Sequence, residues 1–582
     1  MAVQVQGSVL GNTNILLCLS KAPSPPFAML IPLRLHKAKR CCFVAAHSTS
    51  STPLSGNHRE SGRPLANFPP DIWGDRFLTL SFDISELDRC STQVEVLKET
   101  AKDMLMASTT DPLHNILLIN SLCRLGVSYH FETEIEQQLA HCFDTLSKLI
   151  HNNDFNLHET AIMFQVFRSH GYNMSPDIFN KFKDENDEFK VKNTKELISL
   201  YEASHFRING ELVLDEACAF TTSQLKSMVS RTSPPYAQYI ENALYCPYQR
   251  GLPRLEARQY ICFCEKDEDG DEARNDTLLK FANEWKEQNM ESRLPHARSR
   301  IVECFFSAIA VYFEPCYARA CNIYAKLLST LVLTDDTYDA YGTYEELQYF
   351  TDAIQRFDIG VIDELPTNYL KIVYETILNI HNEAEDKMRK EGRSYAISYT
   401  INEFKKLAEA YFVERRWMHR SYVPTFDEYM DTAMKSSAGL VSVCQALIGM
   451  EEADEIAYQW LIKTDNKLQK TVNKIGRLYD DLSTNEAEEK RGLVCGTSCY
   501  MKQYGVTRQE AVEAYREMIE VAWKDMNEGC LKPMPVSNKI AVRALNIARL
   551  VLVLYKKDDG LTRPELSLKD AIAKVLIHPI PL

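Results

Sequence analysis

Leu331-Val332-Leu333-Thr334-Asp335-Asp336-Thr337-Tyr338-Asp339 brings an apolar helical pattern, begun at Arg300, to an end in three acids. Asp335 and Asp339 stand four apart, so a helix carries both carboxylates on one face, a turn above one another. Two acids delivered to one spot by an apolar run are costly unless a cation or a water-filled cavity receives them. Hard divalent cations such as Mg²⁺ take oxygen ligands, often one or two carboxylates with water and substrate phosphate completing the shell. Read alone, the pentapeptide fits a solvated helix end equally well.

A second stretch separates the two readings. In Arg477-Leu478-Tyr479-Asp480-Asp481-Leu482-Ser483-Thr484-Asn485-Glu486-Ala487-Glu488, Asp480, Thr484 and Glu488 fall at i, i+4 and i+8. Those positions drift only slightly around a helix axis, so their oxygens share one stripe. Two acidic stripes on facing helices make a metal site in a bundle core.

With both stretches in hand, the chain resembles the plant class I terpene synthases, most closely the sesquiterpene synthases of the germacrene, farnesene and caryophyllene type. Asp335 to Asp339 matches the aspartate-rich DDxxD motif, and Asp480 to Glu488 matches the (N/D)Dxx(S/T)xxxE motif. Arg298-Ser299-Arg300 matches the RxR motif, and Arg63-Pro64 with Trp73 matches the N-terminal R(R/P)x8W signature. The resemblance runs from Arg63 to Leu582 with one gap. Before Trp285-Lys286-Glu287 the chain is several helical turns shorter than family members. Ser307 also stands where the family usually has Trp, and Leu561 and Arg563 where it usually has Tyr and His.

Composition agrees with a soluble globular chain. Its 582 residues are enough for two domains with full cores, at 45% hydrophobic and 25% charged. A formal charge of -14 argues against a nucleic-acid partner. No apolar run reaches the length of a membrane span. The 17 cysteines include no paired clusters at zinc spacing, and buried free thiols are expected.

Along the chain, residues 1–60 contain no acid before Glu60 but several Lys and Arg, and a Ser/Thr cluster at 48–52. That composition is that of an organelle transit peptide and suggests a plastid. Most sesquiterpene synthases of this type are cytosolic, which makes the cytoplasm the alternative. From Pro69 the pattern is helical, with apolar residues at helix spacing around Leu117–Leu125, Ile135–Ile150, Ala161–Phe167 and Lys195–Ala203. Gly126, Gly171, Pro176 and Asn209-Gly210 punctuate them. The charge-rich stretch 266–276 lacks EF-hand spacing and is expected to be a solvated linker. Further helices are expected over Ile372–Ile380, Phe404–Trp417 and Tyr429–Met450, the last interrupted at Ser436-Ser437-Ala438-Gly439. Strand-like alternation is scarce. The fold class is therefore all-α, and the resemblance makes it two helical domains. One is an α-barrel-like N-terminal domain over 61–262; the other is a class I terpenoid synthase bundle over 263–582, the metal-binding catalytic domain.

The resemblance implies a lyase that ionises an allylic prenyl diphosphate and turns the carbocation into a terpene. Three Mg²⁺ ions are implied, with Mn²⁺ as the alternative, held by Asp335 and Asp339 on one side and Asp480, Thr484 and Glu488 on the other. Asp336 would support them from behind. Arg300 and Arg477 are expected on the diphosphate, with Arg298 shielding the departed group. Trp285, Tyr341 and Tyr555 are candidates to face the cation, and Asp559 to orient Tyr555 by hydrogen bonding. The form of the N-terminal signature favours farnesyl diphosphate; the leader would suit geranyl diphosphate and a plastid monoterpene synthase. A chain-elongating prenyltransferase would carry a second DDxxD, whereas Thr484 and Glu488 occupy that place. A non-catalytic relic, disabled by the gap before Trp285, is the rival from a different class. A monomer is expected.

Overall fold

The computed structural model describes residues 69, 71–74, 76–77, 84–107, 112–150, 155–264, 298–491 and 493–578. Residues 1–60, Arg63-Pro64, the stretch 266–276, the gap and Trp285 itself all lie outside those residues. Among the described residues there is no strand, and the one bridge joins Lys183 to Phe189.

The first helices are α1 (Ile84–Ala107), α2 (Pro112–Arg124), α3 (Glu132–Ile150), α4 (Leu157–Ser169), α5 (Thr194–Ser204), α6 (Leu212–Met228), α7 (Pro234–Tyr245) and α8 (Pro253–Cys264). Their starts and stops follow local chemistry. Asn156 and Glu159 form a reciprocal capping box at α4. Gly126, at φ +68°, turns the chain out of α2. Leu118, Ile119, Leu122, Leu139, Phe164 and Phe167 bury themselves in a shared core.

The second set is α9 (Ile301–Val311), α10 (Ala318–Asp336), α11 (Tyr344–Arg356), α12 (Asn368–Arg389), α13 (Tyr395–His419), α14 (Phe426–Ser436) and α15 (Gly439–Leu447). Then come α16 (Glu455–Leu461), α17 (Lys467–Arg491), α18 (Gly496–Tyr504), α19 (Arg508–Gly529), α20 (Asn538–Tyr555) and α21 (Leu568–Leu576). α17 packs on α19 and α20, α9 on α10 and α20, and α15 on α10, α13 and α20. These contacts make a bundle around a central space.

Three expectations need correction. The helical pattern from Arg300 to Leu333 is two helices, because Pro315 opens a short turn between α9 and α10. Buried Arg543 holds that break with a forked pair to Glu314, at 2.9 and 2.7 Å, and a hydrogen bond to the Val311 carbonyl. The division after residue 262 cuts the last turn of α8. Trp73 and Phe77, assigned to the first domain, belong to the core of the second set of helices. The Trp73 indole donates to Glu303 Oε1 at 2.9 Å across 230 residues of sequence.

Candidate active site

α10 ends at Asp336, and Thr337–Tyr341 continue as one wider π turn closed by Gly342 N–H on the Thr337 carbonyl at 2.9 Å. Asp339 therefore sits in that wider turn rather than on a continuous α-helix. Wide turns of this kind recur at functional sites because they re-aim a side chain without ending the helix. Thr334 and Thr337 keep their hydroxyls satisfied on carbonyls four residues back, at 2.7 Å each. Both Asp335 and Asp339 still line one cavity, of about 360 Å³.

Asp480, Thr484 and Glu488 line the same cavity from α17, as their i, i+4, i+8 spacing requires. Thr484 Oγ1 donates to the Asp480 carbonyl at 2.9 Å, which leaves its lone pairs available as ligands. Glu488 Oε2 is buried and has no hydrogen-bond donor. Burial raises the Asp480 carboxyl to about 7 against the pull of Arg477, with Asp559, Asp481 and Asp335 adding repulsion. Burial likewise raises Glu488. Crowded acids with an undonated oxygen fit divalent cations, which relieve both the desolvation and the repulsion. Among the described residues no three His, Cys, Asp or Glu side chains group closely enough to hold an ion by themselves.

Each stripe is backed by an arginine and a buried second acid. Arg298 donates to Asp335 at 2.5 Å and lies 2.6 Å from Asp336, whose other oxygen accepts the Arg298 backbone N–H at 2.6 Å. Burial raises Asp336 to about 7 despite that arginine. Arg477 pairs with Asp480 and, at 2.7 Å, with Asp481. Asp481 also accepts the hydroxyls of Tyr429 and Tyr515, at 2.7 and 2.9 Å. Gly496 is obligatory beside it, since a Cβ there would meet Asp481 Oδ2 at 2.1 Å. The acid one place after each leading aspartate is therefore an anchor for arginine. The sequence placed Asp336 behind the metal ligands and named no arginine for it; for Asp481 the signal was the repeated Asp-Asp.

Arg300 is placed differently from Arg298. It does not line the cavity; its guanidinium donates to the carbonyls of Leu561 at 2.7 Å and of Ser299 at 3.0 Å, and to those of Thr562 and Pro69 at 3.3 Å. It ties the N-terminal segment and the 559–562 loop together over the site. Asp559 lines the cavity, but its Oδ1 accepts the backbone N–H groups of Leu561 and Thr562, at 3.1 and 3.0 Å. It folds the loop instead of orienting Tyr555 by a hydrogen bond. Tyr555 does line the cavity. Tyr341 does not; its ring stands edge-on to Tyr369 at 4.8 Å. Tyr411, on α13, and Tyr324, on α10, face the cavity and were missed, since helical aromatics on core faces carry no distinguishing signal.

The break between α14 and α15 falls at the expected place. Ala438 takes φ +58°, and Ser436 through Gly439 line the cavity. Asn473 Oδ1 accepts Leu440 N–H at 2.7 Å and would lie 2.6 Å from a Cβ on Gly439. Below the acids the wall is Leu328, Leu331, Val332, Val472, Ile547, Leu550, Val551 and Leu554. One end of the cavity is thus charged and the body is apolar.

The chain is similar to known proteins along most of its length. Residues 72–244 match the family described as terpene synthase, N-terminal domain, and residues 286–525 match the terpene synthase family, metal binding domain. A valerianol synthase of Camellia hiemalis is 42% identical over 564 residues, covering 92% of this chain and all of the relative. A hedycaryol synthase of Camellia brevistyla shows the same identity and coverage. The isoprene synthase of grey poplar leaves (Populus x canescens), solved with three Mg²⁺ ions and dimethylallyl-S-thiolodiphosphate, is 30% identical. It superposes with a TM-score of 0.76 over 83% of this chain and 96% of its own.

Proposed function

The chain belongs to the terpene synthase family, and from that premise we propose that it is a Mg²⁺-dependent sesquiterpene synthase acting on farnesyl diphosphate. One observation carries the reading: five oxygen ligands, Asp335, Asp339, Asp480, Thr484 and Glu488, line one cavity whose remaining wall is mostly apolar. Those residues would hold the metal, and three Mg²⁺ ions are the stoichiometry proposed, with Mn²⁺ the alternative. Divalent metal bound there supplies Lewis-acid neutralisation of the charge that develops on diphosphate as the allylic C–O bond breaks.

The protein's own groups do the rest. Arg298 and Arg477 are permanent cations beside the two acidic stripes and favour a dianionic or more highly charged leaving group there. Tyr411 and Tyr555 line the cavity, where an aromatic ring attracts a cation by ~2 kcal/mol when water is excluded. The aliphatic side chains of the wall give the cation no nucleophile; Cys304, Ser307 and Ser442 line the cavity beside them. Arg300, through Leu561 and Thr562, holds the loop that closes over the charged end.

The test is incubation of the purified chain with Mg²⁺ and either farnesyl or geranyl diphosphate, with volatiles read by gas chromatography–mass spectrometry. Fifteen-carbon terpenes that vanish with Asp335→Ala support the reading. Ten-carbon products alone would make it a monoterpene synthase, and no turnover by folded protein would favour the relic. For residues 1–60 the reading is import into a plastid, which a fluorescent fusion of that segment would reveal by its location.

A further inference from the structure

α17 carries two parallel stripes. Asp480, Thr484 and Glu488 face the cavity. The residue after each, Asp481, Asn485 and Glu489, repeats the i, i+4, i+8 spacing about 100° further around the axis. Asp481, the first of this second stripe, is held in the core by Arg477, Tyr429 and Tyr515. The other two share one arginine, Arg508. Its Nη1 donates to Asn485 Oδ1 at 2.6 Å, and its Nη2 donates to the two oxygens of Glu489 at 2.7 and 2.6 Å. Ser498, on α18, adds a hydrogen bond to Glu489 Oε1 at 2.6 Å.

Glu488 is the ligand that needs this support. α17 ends at Arg491, three residues beyond it. The last turn of a helix frays because its carbonyls lack intrahelical partners. Leu493 N–H answers the Glu488 carbonyl at 3.0 Å, and the fork of Arg508 holds the side of the helix. Arg508 starts from a fixed point: it is the first residue of α19, where Thr507 and Glu510 form a capping box, and α19 packs on α17. Asn485 is buried, whereas the Arg508 and Glu489 side chains are 42% and 34% exposed. An ion pair so open to water adds little to overall stability. What its two-pronged geometry does supply is direction.

We propose that Arg508 is a positioning residue for metal binding: by clamping Asn485 and Glu489 it keeps the last turn of α17 wound and Glu488 turned into the cavity. The inference rests on the metal-site reading given above. Charge separates it from a plain surface ion pair. Without a positional role, neutralising Arg508 removes a positive charge near a cation site, so metal affinity stays the same or rises slightly. With that role, affinity falls.

The experiment titrates the full chain with Mg²⁺ in the presence of inorganic diphosphate and reads the melting temperature, which a ligand of the folded state raises. Wild type is expected to gain stability. Arg508→Gln is expected to melt within about 3 °C of wild type before metal is added. It should nevertheless need roughly tenfold or more Mg²⁺ for the same gain, as for loss of a partner behind a metal ligand. Arg508→Lys keeps the charge without the fork and is expected to fall between the two. Hydrogen exchange of metal-free protein gives a second readout: amides 485–491 should exchange faster in Arg508→Gln, with 477–481 unchanged. If Arg508→Gln does not fold, Glu489→Ala removes the other end of the fork, and its exchange over 485–491 decides. An unchanged or lower Mg²⁺ requirement in folded Arg508→Gln overturns the clamp, and so does unchanged exchange over 485–491; both leave the metal site standing. Wild-type protein whose melting temperature ignores Mg²⁺ and diphosphate overturns the metal site and the clamp together.

Discussion

At the scale of single residues, the site separates acids that face the cavity from acids that anchor arginines. Asp335→Ala removes a cavity-facing carboxylate, and kcat/KM is expected to fall roughly 10²–10³-fold, as for loss of one preorganised group at developing charge. Steady-state kinetics at saturating Mg²⁺ check it, with circular dichroism to show a folded protein. Thr484→Ala keeps both acids of its stripe, so its effect should appear first in the metal requirement. The half-saturating Mg²⁺ concentration is expected to rise on the order of tenfold, read from a Mg²⁺ titration at fixed substrate. Asp481 is different again. Tied to Arg477, Tyr429 and Tyr515 and wholly buried, it is expected to matter for stability. Asp481→Ala should unfold several degrees lower, because it leaves a buried guanidinium and two hydroxyls short of their acceptor.

At the scale of elements, two breaks shape the cavity. The break at Ala438 puts Gly439 against α17 so tightly that Gly439→Ala would drive a Cβ to 2.6 Å from Asn473 and 3.0 Å from Val472. Overpacking of this kind is expected to cost about 1–3 kcal/mol, measurable by urea unfolding. The break between α9 and α10 rests on buried Arg543 and Glu314. Truncating one member of such a pair costs about 3–5 kcal/mol, so Arg543→Ala is expected to be the more damaging of the two. The first break was legible in the sequence, because small and hydroxyl residues interrupt an apolar helix there. The second was not read, although Pro315 marks it, because apolar residues on both sides continue one helical period. The metal stripes were legible for a simple reason: acids at i and i+4 have few uses inside an apolar run. Tyr324, Tyr411 and Ser442 were not, since nothing local distinguishes a cavity wall from a core. Arg300 shows a further limit, for position beside a motif places an arginine near the site without saying which way it turns.

At the scale of the whole molecule, α19 joins the two sets of helices. Glu520 receives both arms of Arg250, at 2.6 and 2.7 Å, and Arg207 at 3.0 Å. Asn527 donates to the carbonyls of His205 and Arg207. Burial would raise the Glu520 carboxyl, but the two arginines outweigh it and hold it well below the usual carboxylate range. Its folded pKa is depressed, so its stabilisation is present above the unfolded value of about 4.3 and fades as pH falls below it. With 42% of the side chain exposed, solvent screens the pair and the contribution is modest. Glu520→Gln is expected to melt slightly lower than wild type at pH 7. The difference should begin to shrink only as pH falls below about 4.3 and should go on shrinking below pH 3, read from melting temperatures across that series. The bond between Trp73 and Glu303 belongs to this scale as well. Its partners are 230 residues apart, so the indole leaves the ribosome long before its acceptor exists. At translation speeds of roughly 5–20 residues per second that wait lasts on the order of tens of seconds. Through that interval the start of the nascent chain carries a large aromatic ring without its final berth, within reach of chaperones. Assembly then draws an early part of the polypeptide back onto one made 230 residues later.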